Sequence, residues 1–198
     1  MIVIGLTGGI GMGKSTVAAM FQSHGIWTFN ADTAVHRLQA RGGRAIPVLE
    51  NSFPGTVEHG ILNRALLREK VLADPVAMRR LEFLMHPLVH QEEQKFRALA
   101  RRARRRAILL DIPLLFETGG ERRVDVTVTV TCPRAVQIAR VKKRGIPPAQ
   151  IAAIIAKQMP DSQKRAKADH VIPTGLSKFA TFQAVNRLVR TLLPLSAT

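Results

Sequence analysis

Apolar residues are distributed along this chain in two patterns, one typical of buried strands and the other typical of helices. Short runs rich in branched apolar residues predict strands. They lie at Ile2 to Leu6, Trp27 to Asn30, Ala107 to Ile112, Val124 to Thr131 and Val171 to Ile172. Helical patterns separate these runs, as expected for a parallel sheet with helices on both faces. The pattern predicts an α/β fold, a three-layer sandwich around a five-stranded, mostly parallel sheet.

The segment between the second and third predicted strands, residues 31–106, is mostly helical in pattern. Asn63 is placed to cap one helix, and Asp74 followed by Pro75 is a start signal for the next. A buried helix face is then predicted at Leu81, Leu84, Met85 and Leu88. Pro87 is expected to bend or restart that helix, because proline has no N–H to donate. After the fourth strand, helices are predicted from Pro133 to about Lys143, Gln150 to Gln158, Asp161 to Ala168 and Phe179 to Leu193.

A glycine-rich segment follows the first strand directly. Its sequence, Gly8-Gly9-Ile10-Gly11-Met12-Gly13-Lys14-Ser15, fills every fixed position of the phosphate-binding P-loop. The glycines let backbone amides approach phosphate oxygens, and the following helix adds its positive dipole end. Lys14 brings a charge to the β- and γ-phosphates, and the Ser15 hydroxyl can bind Mg²⁺. The predicted ligand is a nucleoside triphosphate with magnesium. A dinucleotide-binding fingerprint does not fit, because Lys14 or Thr16 occupies its last glycine position.

Polar residues also follow the second and third strands. They form Asn30-Ala31-Asp32 and the stretch from Asp111 to Glu117. Because ligands collect beyond the carboxyl ends of parallel strands, we expect these residues near the P-loop. Asp32 is then placed to orient an acceptor hydroxyl and take its proton, and it could also cap a helix that begins at Thr33. Asp111 lies in an apolar strand, where a magnesium or water-mediated metal contact or a structural hydrogen bond would explain its charge.

Further candidate residues lie in predicted helices. Arg140 and Arg144 share a helix face before the break at Gly145, where a lid could carry arginines over phosphates. The alternative is plain surface charge, which applies more strongly to Arg144. For His86, a capping or core role competes with a role in the site. These residues fit a phosphoryl-transfer site, which needs mainly positioning and positive charge.

Composition narrows the choice of partners. Thirty Lys and Arg against fourteen Asp and Glu give a net charge of +16, which attracts polyanions. The arginine-rich stretch Arg97 to Arg106 resembles no nucleic-acid module, and we interpret it as the solvated face and C-terminal end of a helix. We therefore expect small-molecule substrates, with neither nucleic acid as the main partner nor a membrane. No apolar run approaches the roughly 18 residues of a membrane-spanning helix.

Other features of the composition concern location. The first strand has no basic segment before it, so no signal peptide is expected. The single cysteine, Cys132, cannot form an internal disulfide and favours a reducing, cytoplasmic setting. The six histidines are scattered, so a zinc site is not expected. The chain is expected to act as a monomer or a small homo-oligomer.

Several blocks, in order, resemble the dephospho-CoA kinase family. They are Ile4 to Thr16, Asn30-Ala31-Asp32, His86-Pro87-Leu88-Val89, Asp111-Ile112-Pro113-Leu114-Leu115-Phe116-Glu117, Gln137 with Arg140, Gln158-Met159-Pro160 and Ala168 to Ile172. The resemblance implies a P-loop kinase fold similar to nucleoside monophosphate kinases. It implies a nucleotide-binding core (1–30, 107–135 and 169–198), a helical acceptor-substrate insert (31–106) and a lid region (136–168). The implied reaction transfers the γ-phosphoryl group of ATP to the ribose 3′-hydroxyl of dephospho-CoA.

The resemblance also assigns roles to residues. Asp32 matches the proposed base, Lys14 the phosphate lysine and Arg140 the lid arginine. ATP binding is assigned to Gly8, Gly9, Gly11, Met12, Gly13, Lys14, Ser15, Thr16 and Arg144. Mg²⁺ binding is assigned to Ser15, with Asp111 as a second candidate. Acceptor binding is assigned to Asp32, His86, Pro113, Leu114 and Glu117. Only the backbone of Met12 is expected to matter.

This chain departs from the family pattern at Asn30, Ile154 and Thr174, where aspartate, a second lid arginine and asparagine are common. Two alternatives stay open. One is another small-molecule P-loop kinase, for a nucleoside monophosphate or a sugar. The other is a non-kinase P-loop ATPase or GTPase, although no Asn-Lys-x-Asp tetrad for guanine occurs.

Overall fold

The computed structural model describes residues 1–145, 151, 155–156 and 158–194, and its strands form two sheets. The strands are β1 (Ile2–Thr7), β2 (Trp27–Asn30), β3 (Val57–Glu58), β4 (Ile61–Leu62), β5 (Ala107–Asp111), β6 (Val126–Thr131) and β7 (His170–Pro173). The main sheet has five strands in the order β2-β5-β1-β6-β7, and β5–β1, β1–β6 and β6–β7 are parallel pairs. The predicted five-stranded α/β sheet is confirmed. The hairpin of β3 and β4 was not predicted.

Helices flank and connect these strands. They are α1 (Lys14–Ser23), α2 (Ala31–Leu38), α3 (Ile46–Ser52), α4 (Arg64–Ala73), α5 (Pro75–Arg102), α6 (Arg134–Lys142), α7 (Asp161–Lys167) and α8 (Lys178–Leu192), with a 3₁₀ helix at Gly120–Arg123. Asn63 caps α4 as predicted, since its side chain accepts a hydrogen bond from the Leu66 N–H at 3.0 Å. The helix predicted at Gln150 to Gln158 falls largely outside the described residues, as does Ile154. Among the described helices, none is both long and apolar enough to cross a bilayer.

The strand register brings four carboxyl ends to one edge of the main sheet. Leu6 of β1 pairs with Asp111 at the end of β5, and Thr7 pairs with Thr129 of β6. Thr131, which ends β6, pairs with Pro173, which ends β7. The P-loop, Asp111 and the turn after β7 therefore lie at the same edge of the sheet.

The chain divides into two compact units, Met1–Phe29 with Ala100–Thr198 and Asn30–Leu99. In the first, the central strands are apolar on both faces, and Ile4, Leu6, Leu109 and Val128 are fully buried between helices. This is the pattern of a parallel sheet covered on both sides. The second unit has its own apolar core, which includes Leu38, Leu49, Phe53, Leu67 and Met85. The assignment of core, insert and lid functions to parts of the chain stays a prediction.

Of the bend or restart predicted for helix α5 at Pro87, the restart is not found, because the helix continues through Pro87. The proline ring removes one donor, the partner that the carbonyl of Phe83 would have had. Phe83 is exposed, and water can serve a carbonyl there. Apolar residues on the same helix, among them Met85, pack into the core of the second unit, which holds the helix together.

The arginine-rich stretch also differs in part from its interpretation. Arg101 and Arg102 are exposed in the last turn of α5, as predicted. Arg97 is not solvated, because it is buried and its Nε and Nη2 atoms bind Glu93 Oε1 at 2.9 and 2.7 Å. Arg105 stacks over the ring of Trp27, with its guanidinium carbon 4.2 Å from the centroid. Part of the cluster is therefore structural rather than free surface charge.

Candidate active site

The P-loop forms the turn between β1 and α1, at the edge where the strand ends meet. Two of its glycines are required by the backbone. Gly11 has φ 77°, and a Cβ there would lie 2.6 Å from Val141 Cγ2. Gly13 has φ 88° and is the N-cap of α1, and its carbonyl accepts hydrogen bonds from the N–H groups of Thr16 and Val17. A side chain at either position would be strained, so the loop geometry depends on this glycine spacing.

Lys14 and Asp111 form an ion pair at the centre of this edge. Lys14 is the first residue of α1, and its ammonium contacts the Asp111 carboxylate at the end of β5. The Asp111 side chain is 2% exposed, so the pair gives a partner to a charge that would otherwise be costly to bury. This arrangement keeps a cation within the P-loop. Ser15 and Thr16 follow Lys14 in the first turn of α1 and are both exposed.

A cavity of about 370 Å³ opens beside the P-loop. It is lined by P-loop residues, by the end of α6 and by the turn between β7 and α8: Gly11, Gly13, Thr16, Arg140, Lys143, Arg144, Thr174, Leu176, Ser177, Lys178 and Thr181. Four of these residues carry positive charge. A cavity of this size with cationic walls suits a nucleotide, because phosphate groups need compensating charge.

Arg140 is bound to the turn after β7 rather than exposed on a free helix face. Its Nη2 donates to the Thr174 carbonyl at 2.6 Å, and its Nη1 donates to the Thr174 hydroxyl at 3.0 Å. The same hydroxyl lies 2.6 Å from the Met12 carbonyl, to which it donates. Thr174 is buried and joins α6, the β7–α8 turn and the P-loop. Sequence analysis noted Thr174 only as a departure, because its partners are distant in the chain.

Two glutamine side chains form hydrogen bonds with the P-loop backbone at Ile10. Gln137 of α6 donates from Nε2 to the Ile10 carbonyl at 2.8 Å, and Gln158 Oε1 accepts from the Ile10 N–H at 3.0 Å. Both residues belong to the blocks that carry the family resemblance, but nothing in the sequence indicated their partners.

Met12 contributes its side chain as well as its backbone. It is buried in the core of the first unit, and its sulfur lies 3.4 Å from Cys132 Sγ. The expectation that only the Met12 backbone matters is therefore wrong, because the side chain fills space behind the loop. Burial raises the pKa of the Cys132 thiol, with the Arg140 charge acting in the opposite direction. Cys132 is thus a neutral core residue.

The stretch from Pro113 to Glu117 is held by a buried lysine, Lys164, which is 1% exposed. Its Nζ lies 2.8 Å from Glu117 Oε1 and 3.2 Å from the Pro113 carbonyl. Glu117 Oε1 also accepts from the Met159 N–H at 3.0 Å. Burial raises the pKa of Glu117, but the bonds from Lys164 and Met159 outweigh it and lower the pKa overall. Leu114 is the exposed apolar residue of this stretch.

Two predicted site residues belong to the second unit. Asp32 is exposed in the first turn of α2, and His86 is exposed on α5. The interpretation that Asp32 caps this helix is wrong, because Asn30 is the cap and accepts from the Thr33 N–H at 2.8 Å. This cap gives Asn30 a structural use that needs no negative charge. Among the described residues, no three His, Cys, Asp or Glu side chains lie together as a metal-binding cluster.

A parallel sheet in the order β2-β5-β1-β6-β7, with a P-loop between β1 and α1, is consistent with the α/β fold of P-loop kinases. A shikimate kinase structure from Acinetobacter baumannii shares this fold, with a TM-score of 0.50 at 16% identity over 100% of this chain and 96% of that one. The sequence model of the dephospho-CoA kinase family matches residues 2–177. The chain belongs to this family of ATP-using kinases.

Individual relatives agree with this membership. Dephospho-CoA kinase of Brucella melitensis is 50% identical over 176 residues, which cover 88% of this chain and 87% of the relative. That of Mesorhizobium japonicum is 48% identical over 190 residues, covering 96% and 95%. A crystal structure of a Thermus thermophilus protein has a TM-score of 0.87 and 33% identity, covering 97% of each chain. A dephospho-CoA kinase structure from Campylobacter jejuni, at 21% identity, has the same fold with a TM-score of 0.71 over 96% of each chain.

Proposed function

We propose that this chain transfers the γ-phosphoryl group of ATP to the ribose 3′-hydroxyl of dephospho-CoA, giving coenzyme A and ADP. The observation that carries the proposal is the P-loop with its Lys14–Asp111 pair, in a chain matched along residues 2–177 by the dephospho-CoA kinase family. This reaction is the last step of coenzyme A synthesis. Transfer to another acceptor, a nucleoside monophosphate or a sugar, has no specific observation in its favour.

The proposed ATP site consists of the P-loop and the cationic cavity beside it. The residues assigned to it are Gly8, Gly9, Gly11, Met12, Gly13, Lys14, Ser15, Thr16, Arg140 and Arg144. Lys14 would stabilise negative charge on the transferring phosphoryl group, and the loop amides would hold the β-phosphate. Arg140 lines the same cavity, which supports its role as an arginine on the nucleotide, and Arg144 lies exposed two residues past α6.

Mg²⁺ is part of the proposal, and the donor set present fits it. Ser15 is exposed at the start of α1, and hydroxyl and phosphate oxygens are ligands that this ion accepts. Asp111 is the second candidate, direct or through water, and it stands next to Lys14. When bound, the ion neutralises charge on the β- and γ-phosphates.

Asp32 is the proposed base. An exposed carboxylate in the first turn of α2 can accept the proton of an acceptor hydroxyl. Among the described residues, no buried side chain pairs with it. His86, Pro113, Leu114 and Glu117 are the proposed acceptor contacts. Because Lys164 binds Glu117 and the Pro113 carbonyl, we expect the exposed Leu114 side chain to provide the contact in this stretch.

The proposed parts of the enzyme follow from these roles. Residues 1–30, 107–135 and 169–198 would bind ATP, residues 31–106 would bind the acceptor, and residues 136–168 would act as the lid. A cytoplasmic location and a monomeric or small homo-oligomeric state also belong to the proposal. The single buried cysteine supports a reducing setting.

An acceptor-specificity assay tests the proposal. Purified enzyme is given ATP with dephospho-CoA, AMP, UMP and simple sugars as separate acceptors, with and without Mg²⁺, and ADP and product are both measured. We expect turnover with dephospho-CoA to exceed turnover with each other acceptor by at least two orders of magnitude and to require Mg²⁺. Faster transfer to AMP, UMP or a sugar would refute the assigned acceptor.

A further inference from the structure

The tip of the P-loop is fixed by two side-chain amides with opposite roles. The Ile10 N–H donates to Gln158 Oε1 at 3.0 Å, and the Ile10 carbonyl accepts from Gln137 Nε2 at 2.8 Å. An N–H can only donate and a carbonyl can only accept, so the chemistry of Ile10 fixes which way each amide is turned. Gln158 acts as an acceptor and Gln137 as a donor.

These bonds orient two successive peptide planes. The plane joining Gly9 to Ile10 points its N–H at Gln158 and its carbonyl at the Met12 N–H, 3.1 Å away. The plane joining Ile10 to Gly11 points its carbonyl at Gln137. Because the peptide is trans, the Gly11 N–H is directed to the side opposite Gln137. Gly11 also lines the cationic cavity.

Both glutamines are themselves held in place. Gln137 is 3% exposed, and its Oε1 accepts from Arg134 Nη1 at 3.0 Å, which leaves Nε2 for Ile10. Gln158 precedes Met159, whose N–H is bound by Glu117, and Glu117 is bound by the buried Lys164. A side chain locked as Gln137 is, with the backbone anchored next to Gln158, can hold a binding loop to within a fraction of an ångström.

We propose that Gln137 and Gln158 are positioning residues for phosphate binding. Together they hold the two peptides at Ile10 so that the Gly11 N–H is directed into the phosphate cradle before the nucleotide binds. Neither glutamine touches a reacting atom in this scheme, so neither is a catalytic residue. The inference rests on the proposed ATP site and deepens it, because it names what sets the shape of that site.

Opposite hydrogen-bonding roles allow a test with one substitution at two positions. Gln→Glu keeps an acceptor but loses the amide donor, and Gln→Leu loses both. Gln158→Glu can therefore still bind the Ile10 N–H, whereas Gln137→Glu turns a carboxylate towards a carbonyl. Both Glu variants add one negative charge, and Arg134 lies beside one of the two sites, that of Gln137. The Leu variants add no charge, so they measure the loss of the hydrogen bond without repulsion of phosphate.

The measured quantities are the dissociation constant of ADP with Mg²⁺, by titration calorimetry on the full chain, and the thermal unfolding midpoint. We expect Gln158→Leu, Gln137→Leu and Gln137→Glu to weaken ADP binding about tenfold, the effect of one lost hydrogen bond. Gln158→Glu is expected to recover much of the loss seen for Gln158→Leu. Gln163→Leu and Gln163→Glu, at an exposed position on α7, are the matched controls and should leave ADP binding as it is.

Three results would overturn the inference. One is unchanged ADP affinity in both leucine variants, including the case where only their unfolding midpoints fall, since the glutamines would then be merely structural. Another is that the Glu and Leu variants rank in the same order of ADP affinity at position 137 as at position 158. The third is a wild-type chain that does not bind ADP, which would refute the proposed ATP site itself. Because ADP binding needs no acceptor, a wrong acceptor assignment would leave this test intact.

Discussion

Arg140 and Thr174 are joined by two hydrogen bonds, one to the threonine carbonyl at 2.6 Å and one to its hydroxyl at 3.0 Å. The hydroxyl of Thr174 also donates to the Met12 carbonyl at 2.6 Å. An arginine assigned to the nucleotide is thus fixed to the P-loop through a buried threonine. Thr174, noted from the sequence only as a departure from the family pattern, therefore supplies the polar group at this junction.

Thr174→Val should loosen this junction. Valine keeps the volume of threonine but removes the hydroxyl, so Arg140 loses one acceptor and the Met12 carbonyl loses its donor. We expect the KM for ATP to rise about tenfold, as for a lost buried hydrogen bond. Thr174→Ser keeps the hydroxyl and should stay within about threefold of the wild type, because only a methyl group is lost. Thr191→Val, at an exposed position on α8, is the control. Equal KM values for the Val and Ser variants would argue against the junction.

Lys14→Ala should remove most turnover. Loss of this ammonium strips positive charge from the transferring phosphoryl group, and we expect kcat to fall by about 10²- to 10³-fold. The same change also leaves the buried Asp111 carboxylate without the ion pair that it has with Lys14. Unfolding must therefore be followed alongside steady-state kinetics. Lys142→Ala, an exposed lysine of α6, serves as the matched control and should keep normal turnover. A folded Lys14→Ala enzyme with wild-type kcat would remove Lys14 from the mechanism.

Asp32→Asn should separate turnover from ATP affinity. The amide cannot accept the proton of the acceptor hydroxyl, so we expect kcat to fall by about 10²-fold while the KM for ATP changes little. Asp32 is exposed, and the α2 cap is supplied by Asn30, so the fold should be retained. Glu69→Gln, which neutralises an exposed carboxylate on α4, controls for loss of charge in the same unit. If kcat of Asp32→Asn equals that of Glu69→Gln, Asp32 is not the base.

The buried pair of Lys164 and Glu117 predicts an asymmetric effect on stability. The lysine side chain is 1% exposed and the glutamate side chain 18% exposed. Glu117→Gln leaves a buried ammonium without its counter-charge, which costs about 3 kcal/mol of unfolding free energy. Lys164→Met removes the buried charge and leaves a carboxylate that water can reach, so it should cost less. The double variant should be more stable than Glu117→Gln alone.

Urea unfolding of the three variants measures these differences. Glu92→Gln breaks surface ion pairs with two exposed cations, Lys95 and Arg44, and it should cost less than about 1 kcal/mol per pair. A cost for Glu117→Gln no larger than that of this surface control would contradict the buried-pair argument.

The same pair makes stability depend on pH in a defined direction. The pKa of Glu117 is lowered in the folded chain, because the bonds from Lys164 and Met159 outweigh the effect of burial. A lowered pKa contributes stability above the unfolded value, about 4.3 for glutamate, and that contribution is lost as the pH falls through the folded value. The stability gap between wild type and Glu117→Gln should therefore be constant from pH 6 to 8 and shrink below about pH 4. A gap that widens on acidification would show that the sign is wrong.

Much of the fold could be predicted from local patterns in the sequence. Parallel strands that are buried on both faces appear as continuous apolar runs, so β1 and β5 could be located closely. The P-loop could be recognised because its residues are contiguous. The hairpin of β3 and β4 has strands of two residues each, too short for any periodicity to register. The continuation of α5 through Pro87 depends on packing that proline propensity does not include.

The contacts within the site were harder to predict. Thr174, Gln158 and Lys164 take their roles from partners elsewhere in the chain, namely Met12, Ile10 and Glu117. Lys164 lies in a helix with three basic residues in its last turn, and nothing in that pattern distinguishes the buried lysine from the exposed ones. Asn30 was recognised as a departure, but its use as a cap follows from where α2 begins.

The lone thiol of the chain has a consequence for handling the enzyme. Cys132 is buried against Met12, and burial holds its pKa above the usual range. Alkylating and oxidising reagents attack the thiolate, so the folded enzyme should tolerate them. Any rearrangement that moves Met12 away would expose the sulfur. The rate of alkylation of Cys132 would therefore report loss of the packing behind the P-loop.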